Sequence, residues 1–426
     1  MIKEFKLKNQ TKVLIETLPH VKSVSVGYWI NAGSIHEKSD ESGVSHFIEH
    51  MLFKGTTNRT AKEIAASMDN IGGQLNAFTS KECTCFYAKV IDSHINTAID
   101  VISDMIKNPL FSDTDITREK GVVLEEISMY EDSPEDIVHD ELAKLTYDGH
   151  PLAKPILGTT NSIQSMTREQ IVKYYKKHYG PSNLVISVVG NVDENEVLSL
   201  LEKEMELWLN EPITKVNELE KYIGEQFIFR TKDIEQFHVC LGFPNVKRES
   251  KDHYSMLVLN NILGGSMSSR LFQKIREEMG MVYSIYSYPS NYLNSGMMTI
   301  YAGMNPNEAL NVINTIINEI DLIKQEGITE TECYTAKEQL KGNYILGLES
   351  TSSRMINYGR SQILTNKIKT QDEILEKINA VTLDDIKNLI PKILDYNKIN
   401  VSCISNFEEN NETYIQIKNI IKQLNR

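Results

Sequence analysis

The chain has 426 residues, 41% of them hydrophobic and 24% charged, with a formal net charge of -13 at pH 7. That length exceeds one ordinary core and suits two domains of about 200 residues each. The acidic balance argues against nucleic acid or an anionic membrane as partner, and no stretch approaches the ~18 continuous apolar residues of a membrane span. The five cysteines, Cys83, Cys85, Cys240, Cys333 and Cys403, are odd in number and widely scattered, so they suggest no disulfide framework. The lysines near the N-terminus are not followed by the apolar run of a signal peptide. A cytoplasmic location is the resulting expectation.

The first twenty residues predict a strand, a turn and a second strand. ESGVSHFIEHMLFKGT follows with helical spacing, and Ser42 or Ser45 is placed to cap it. IGGQLNAFTSKECTCFYAKV predicts an extended hairpin, in which Cys83 and Cys85 share a strand face and read as reduced strand residues. NTAIDVISDMIKNPLFSDTDITREKGVVLEEI predicts two helices joined by a turn. SMTREQIVKYYKKHYGPSNLVISVVGN predicts an amphipathic helix after a threonine, then an alternating strand. A polar, Pro212-bearing stretch without apolar period predicts a linker over 211–227, between domains at 1–210 and 228–426.

The second half echoes the first. GMVYSIYSYPSNYLNSGMMTIYAGM predicts another hairpin, and a second pair of helices comes after it. AVTLDDIKNLIPKILDYNKINVSCISN repeats the threonine, helix and strand, with Thr382, Ile386 and Asn406 at one constant offset from Thr167, Ile171 and Asn191. Strands that follow one another as hairpins, interspersed with helices, predict α+β: two homologous domains, each a mixed, largely antiparallel sheet with helices packed on it. The tail predicts a short final helix.

The chemistry sits in the first half. Residues four apart on a helix share a face, so His46 and His50 can aim two imidazoles at one point. That pair begins a tetrahedral zinc site. Glu49 projects beside them, where it can take a proton from an attacking water. The order H-x-x-E-H is the inverse of the commoner zinc motif. A catalytic zinc needs a third protein ligand, and the helix DTDITREKGVVLEEISMYEDSP offers several. Glu119 and Glu126 lie two turns apart along one face, while Glu125 points elsewhere. Periodicity does not select Glu126 among so many acids. The eight other histidines lack ligand spacing and read as surface or structural.

HFIEHMLFKGT followed by EKGVVLEEI resembles the pitrilysin/insulinase family of inverted-motif zinc metallopeptidases, and the length, duplication and Gly-rich second half are closest to its mitochondrial-processing-peptidase-like bacterial branch. The resemblance implies one Zn2+ per chain, bound by His46, His50 and Glu126, with Glu49 as general base and Glu119 assisting from nearby. It implies that Asn76, Ala77 and Phe78 in GGQLNAFTS line the edge strand along which an extended peptide pairs. In LGGSMSSRLFQKIREEMGMVYSIYS it implies that Arg276 and Tyr283 hold the substrate carbonyl and steady the oxyanion. Aligned on the repeat, His46, Glu49 and His50 fall opposite Met256, Leu259 and Asn260, and Glu126 falls near Asn343, so the second half has lost the ligands. In relatives of this length two chains close around a chamber. The expectation is a zinc endopeptidase of short or unfolded peptides, a homodimer whose site is completed in trans. The rival reading is a non-catalytic processing-peptidase-like partner subunit.

Overall fold

The computed structural model describes residues 2–206, 208, 222–224 and 226–424. The first half forms β1 (Lys3–Lys6), β2 (Lys12–Thr17), β3 (Ser23–Ile30), α1 (Val44–Leu52), α2 (Ala61–Asp69), β4 (Gln74–Thr79), β5 (Thr84–Ile91), α3 (Ile95–Lys107), α4 (Asp113–Glu131) and α5 (Pro134–Thr146). It continues through α6 (Thr160–Ser165), α7 (Arg168–His178), β6 (Leu184–Gly190) and α8 (Glu194–Glu204). The second half forms β7 (Gln226–Thr231), β8 (Phe237–Pro244), α9 (His253–Leu263), β9 (Val282–Asn291), β10 (Gly296–Met304), α10 (Ala309–Glu326), α11 (Glu330–Gly347) and α12 (Thr351–Thr365). It ends with α13 (Gln371–Asn379), α14 (Leu383–Ile393), β11 (Asn400–Ser405) and α15 (Glu412–Leu424).

The repeat read in the sequence is a repeat of topology. One sheet runs β1-β2-β6-β3-β5-β4 and the other β7-β11-β8-β10-β9. Setting β1 aside, the two orders are the same, strand for strand. In each, a single parallel pair (β2 with β6, β7 with β11) joins an otherwise antiparallel sheet. The hairpins β4–β5 and β9–β10 and the helix pairs α3–α4 and α10–α11 stand where the sequence places them. The threonines at the head of the late helices are true caps: Thr167 accepts from the Gln170 amide before α7, and Thr382 from the Asp385 amide before α14. The fold is therefore two homologous α+β domains.

The compact units do not follow a single cut in the chain. One takes Met1–Ser128, Lys154–Asn217 and Ile345–Ile368; the other takes Met129–Ala153, Glu218–Tyr344 and Lys369–Arg426. Each unit borrows a helical segment from the opposite half. The linker expected over 211–227 lies outside the described residues, apart from 222–224 and 226–227.

In the first unit, β3 explains why a helix is needed there. Val24, Val26, Tyr28 and Ile30 point into a core shared with α1, α2, α3 and α7. Ser25, Gly27 and Trp29 point the other way, and both sets are buried. Helix α12 covers that second face. Ser25 Oγ lies 2.9 Å from Thr351 Oγ1, Trp29 Nε1 donates to Ser187 Oγ at 2.9 Å, and Ser187 Oγ donates to the Met355 carbonyl at 3.1 Å. Arg354 anchors the helix to the buried Glu16 at 3.0 Å.

The second unit repeats the device with α5. Phe237, Val239, Leu241 and Phe243 of β8 enter its core. His238, Cys240 and Gly242 alternate with them. Ser402 Oγ donates to the Val138 carbonyl at 2.7 Å, and His139 meets Cys240 Sγ at 3.3 Å and Tyr288 OH at 2.8 Å. Burial pushes the His139 imidazole down to about 4, so it is neutral near pH 7. No helix among the described residues is long and apolar enough to cross a membrane.

Candidate metal centre

Helix α1 has two faces with different tasks. Val44, Phe47, Ile48, Met51 and Leu52 repeat at three- and four-residue spacing and are buried in the core. His46, Glu49 and His50 repeat on the opposite face. The helix start differs from expectation. Neither Ser42 nor Ser45 caps it: the cap position is Gly43, at φ 88°, where a β-carbon would stand 2.7 Å from the Leu157 carbonyl oxygen. A more distant carboxylate does the capping instead. Glu37 accepts from the Gly43 amide at 2.8 Å and from the Ser45 amide at 2.9 Å, which satisfies two of the free N–H groups at a helix start. Ser45 Oγ turns instead to Tyr174 OH at 2.9 Å.

Helix α4 brings the acids. Ile116, Glu119 and Val123 are its buried residues, and Glu126 follows two turns after Glu119. Glu126 Oε2 lies 3.7 Å from His46 Nε2 and 3.6 Å from His50 Nε2. One donor atom from each of the three residues lies within 4.8 Å of the others, and this is the one such cluster among the described residues. Glu125 is exposed.

The three donors suit a divalent ion. With bonds of about 2.0–2.1 Å, the donors of a tetrahedral zinc stand ~3.3 Å apart, close to the spacings seen. Glu126 Oε2 is a buried atom without a hydrogen-bond partner among the described residues, although it faces two imidazoles. Burial, then the neighbouring His50, pushes His46 down to about 4, which leaves its ring neutral with a lone pair to give. His50 Nδ1 is held at 3.1 Å by Glu119 Oε2, so its Nε2 is the nitrogen that faces Glu126. Glu119 itself is only 1% exposed, and its Oε1 meets Lys54 Nζ at 2.7 Å.

Glu49 is tied down at one oxygen, where Thr79 Oγ1 donates to Oε2 at 2.5 Å. Burial raises its carboxyl above the ordinary range; Thr79 and His50 pull it down, and Glu126 pushes it up. Thr79 ends β4, the outer strand of its sheet, and no other strand among the described residues pairs with its side away from β5. Asn76 is exposed, while Ala77 and Phe78 are half-buried. Leu75 and Ala77 pack toward the core and Phe78 projects from the other face, 5.6 Å from the Trp29 ring. Arg276 and Tyr283 belong to the second unit. Arg276 lies in a run of π-helix, Phe272–Glu278, with its guanidinium 5.0 Å from the Phe272 ring. Tyr283 is the second residue of β9 and is 77% exposed.

Three contributors escaped the sequence reading: Glu37, Lys54 and Thr79. Lys54 lies inside HFIEHMLFKGT, yet nothing local pairs it with an acid 65 positions on. Thr79 follows Phe78 directly, and strand parity alone could have put it on the face of Ala77.

Comparison with known proteins agrees with this geometry. The insulinase (peptidase family M16) profile matches residues 12–160, and the peptidase M16 inactive-domain profile matches residues 165–340. The chain is 46% identical over 392 residues to the uncharacterized zinc protease YmxG of Bacillus subtilis, covering 91% of this chain and 95% of that one. It is 38% identical to an uncharacterized zinc protease of Streptomyces coelicolor, covering 90% and 85%. The crystal structure of a protease from Helicobacter pylori superposes with a TM-score of 0.90 at 22% identity, covering 95% and 99%, a likeness of fold. A His–His–Glu cluster on the inverted motif, joined to identity of this extent, makes the chain a member of the insulinase (M16) family of zinc metallopeptidases.

Proposed function

We propose that the chain is a self-sufficient zinc endopeptidase of the mitochondrial-processing-peptidase-like bacterial branch, which cuts short or unfolded peptides held in extended form. The observation that carries the reading is the convergence of His46, His50 and Glu126 with Glu49 beside them. A partner subunit that had given up catalysis would have no need to keep all four.

When bound, zinc supplies Lewis-acid polarisation of the scissile carbonyl and acidifies water. The rest falls to side chains of this chain. His46, His50 and Glu126 hold the ion, and Glu119 fixes the His50 tautomer. Glu49 takes the proton of the attacking water at Oε1, the oxygen that Thr79 leaves free, and later hands it to the leaving amine. A raised carboxyl pKa suits that exchange, because the acid form is easier to reach. The open edge of β4 pairs with substrate backbone whatever its side chains, and Phe78 meets those on one face. Arg276 and Tyr283 of a second copy steady the oxyanion, which makes the active species a homodimer around a closed chamber. Five free thiols suit a reducing compartment, and we place the protein in the cytoplasm.

The test is a quenched fluorescent peptide with the purified chain. Cleavage should stop with chelator and return with zinc. Glu49→Gln should keep the metal and lose cleavage; turnover at the wild-type rate would overturn the mechanism. Mixing Glu49→Gln with an Arg276→Ala/Tyr283→Phe chain should restore activity through mixed dimers, because one of the two hybrid sites is intact. No recovery would reject completion in trans. A wild-type chain with neither zinc nor cleavage would favour the partner-subunit reading.

A further inference from the structure

A carboxylate that is 1% exposed needs its charge answered. Glu119 finds two partners: Oε2 faces His50 Nδ1 at 3.1 Å and Oε1 faces Lys54 Nζ at 2.7 Å. The lysine stands just past the end of α1, where its amide donates to the Met51 carbonyl at 3.1 Å, so the helix that presents the two imidazoles also presents the ammonium. Glu119 arrives from α4, the helix of Glu126. The row Lys54–Glu119–His50 therefore links both helices that bring ligands together. The loop after Lys54 is itself fixed: Thr56 Oγ1 donates to the buried Asp104 at 2.6 Å, Arg59 bonds the same carboxylate at 2.7 Å, and Asn58 bonds its other oxygen at 2.6 Å.

We propose that Lys54 is a positioning residue for the metal, acting through Glu119: it pins one carboxylate oxygen so that the other holds the His50 ring with Nε2 turned to the ion. The inference rests on the zinc reading above. Its sign sets it apart from a simple field effect. An ammonium near a divalent cation repels it, so field alone makes loss of Lys54 strengthen zinc binding. A positioning role makes the same loss weaken binding, because groups that orient metal-ligating histidines are worth about 10–100-fold in affinity.

Zinc affinity is measured by competition with a chromogenic chelator on the full chain, with thermal melting of the metal-free protein as a check on folding. Lys54→Met should bind zinc ~10-fold or more weaker than wild type, and Lys54→Arg should recover most of that loss. Lys54→Gln keeps most of the stem without the charge and should also bind weaker, which carries the test if the methionine variant does not fold. Glu119→Gln alone and Glu119→Gln/Lys54→Met together should bind zinc equally, since Lys54 acts through Glu119. Unchanged or tighter binding in Lys54→Met or Lys54→Gln overturns the inference, as does an additive double variant. A wild-type chain that binds no zinc overturns both this inference and the reading beneath it, and so is distinguishable from a failure of Lys54 alone.

Discussion

Replacing Gly359 by alanine tests how closely the borrowed helix α12 must sit on its sheet. A β-carbon at Gly359 would stand 1.9 Å from Trp29 Nε1, 2.3 Å from Cε2 and 2.4 Å from Cδ1. Ordinary contact is about 3.5–4.0 Å, so indole or helix must retreat by ~1.5 Å. The indole is fully buried and rigid, and its N–H is committed to Ser187. Overpacking of this kind costs roughly 1–3 kcal/mol, and losing the buried hydrogen bond costs about 1–3 kcal/mol more. Against this, alanine improves helix propensity by about 1 kcal/mol. The net expectation is a loss of roughly 1–5 kcal/mol. Gly342, on α11, has nothing within 4 Å of its would-be β-carbon, so Gly342→Ala should stabilise by up to ~1 kcal/mol. Two units need not unfold together, so the assay is urea denaturation followed by hydrogen exchange of residues 351–365. Peptide turnover should fall too, because Trp29 backs Phe78 of the outer strand. A Gly359→Ala chain stabilised like Gly342→Ala would refute the reasoning.

Thr79→Val removes the donor to Glu49 at nearly constant volume; on the proposed mechanism, in which Glu49 is the general base, kcat should drop ~10-fold with zinc content unchanged, and an unaltered kcat would reject a role for the hydroxyl. Burial, then His36 and Lys177, pushes His178 down to about 3 from 6.5. A group whose folded pKa is depressed gives stability that is full above the unfolded value and lost as pH falls toward the folded one. The loss should therefore run from pH 6.5 down to about 3, reaching roughly 3 kcal/mol by pH 4. His178→Phe, which keeps the stack on Tyr174, should flatten that limb of a melting-temperature profile, and an unchanged slope would mean the acid loss comes from elsewhere. Residues 1–210 alone lack α12 and leave Trp29 and its neighbours without cover, so that fragment should not give a cooperative melt by circular dichroism.

Much of the fold was legible because the strongest signals are local. Alternation in the hairpins, threonine caps before α7 and α14, and the apolar stripe of α1 each depend on residues within two turns of one another. The candidate ligand pair His46 and His50 is legible for the same reason. The third member of the cluster is not local, and period alone does not select Glu126. The helix exchange left no sign at all. β3 reads SVSVGYWI, and its weak alternation does signal burial on both faces, but nothing in the strand says that residues 351–365 supply the second cover. The cap of α1 is hidden by the same limit: a serine nearby in sequence is an obvious candidate, whereas Glu37 reaches the amides of Gly43 and Ser45 only once the chain folds back.

The two halves share a topology and differ in what lines one helix face. On α1 the polar face holds two imidazoles and a carboxylate, with His50 and Glu49 half-buried and open to a ligand. On α9 the matching positions are Met256 and Leu259, both fully buried, and Asn260, whose Oδ1 accepts from Ser287 Oγ at 2.9 Å. The Gly-rich stretch after α9 packs close to Asn260 and to Ser287 of β9. A β-carbon at Gly264 would stand 2.7 Å from Ser287 Oγ, and one at Gly265 would stand 2.7 Å from Asn260 Nδ2. Those glycines let the chain turn back onto α9 and β9, while Met256 and Leu259 belong to the core of the second unit. In the aligned repeat Glu126 falls near Asn343, so these positions of the second half carry no counterpart of the His–His–Glu set. The two helices thus share a place in the fold but not a donor set, while Tyr283, near the head of β9, is 77% exposed.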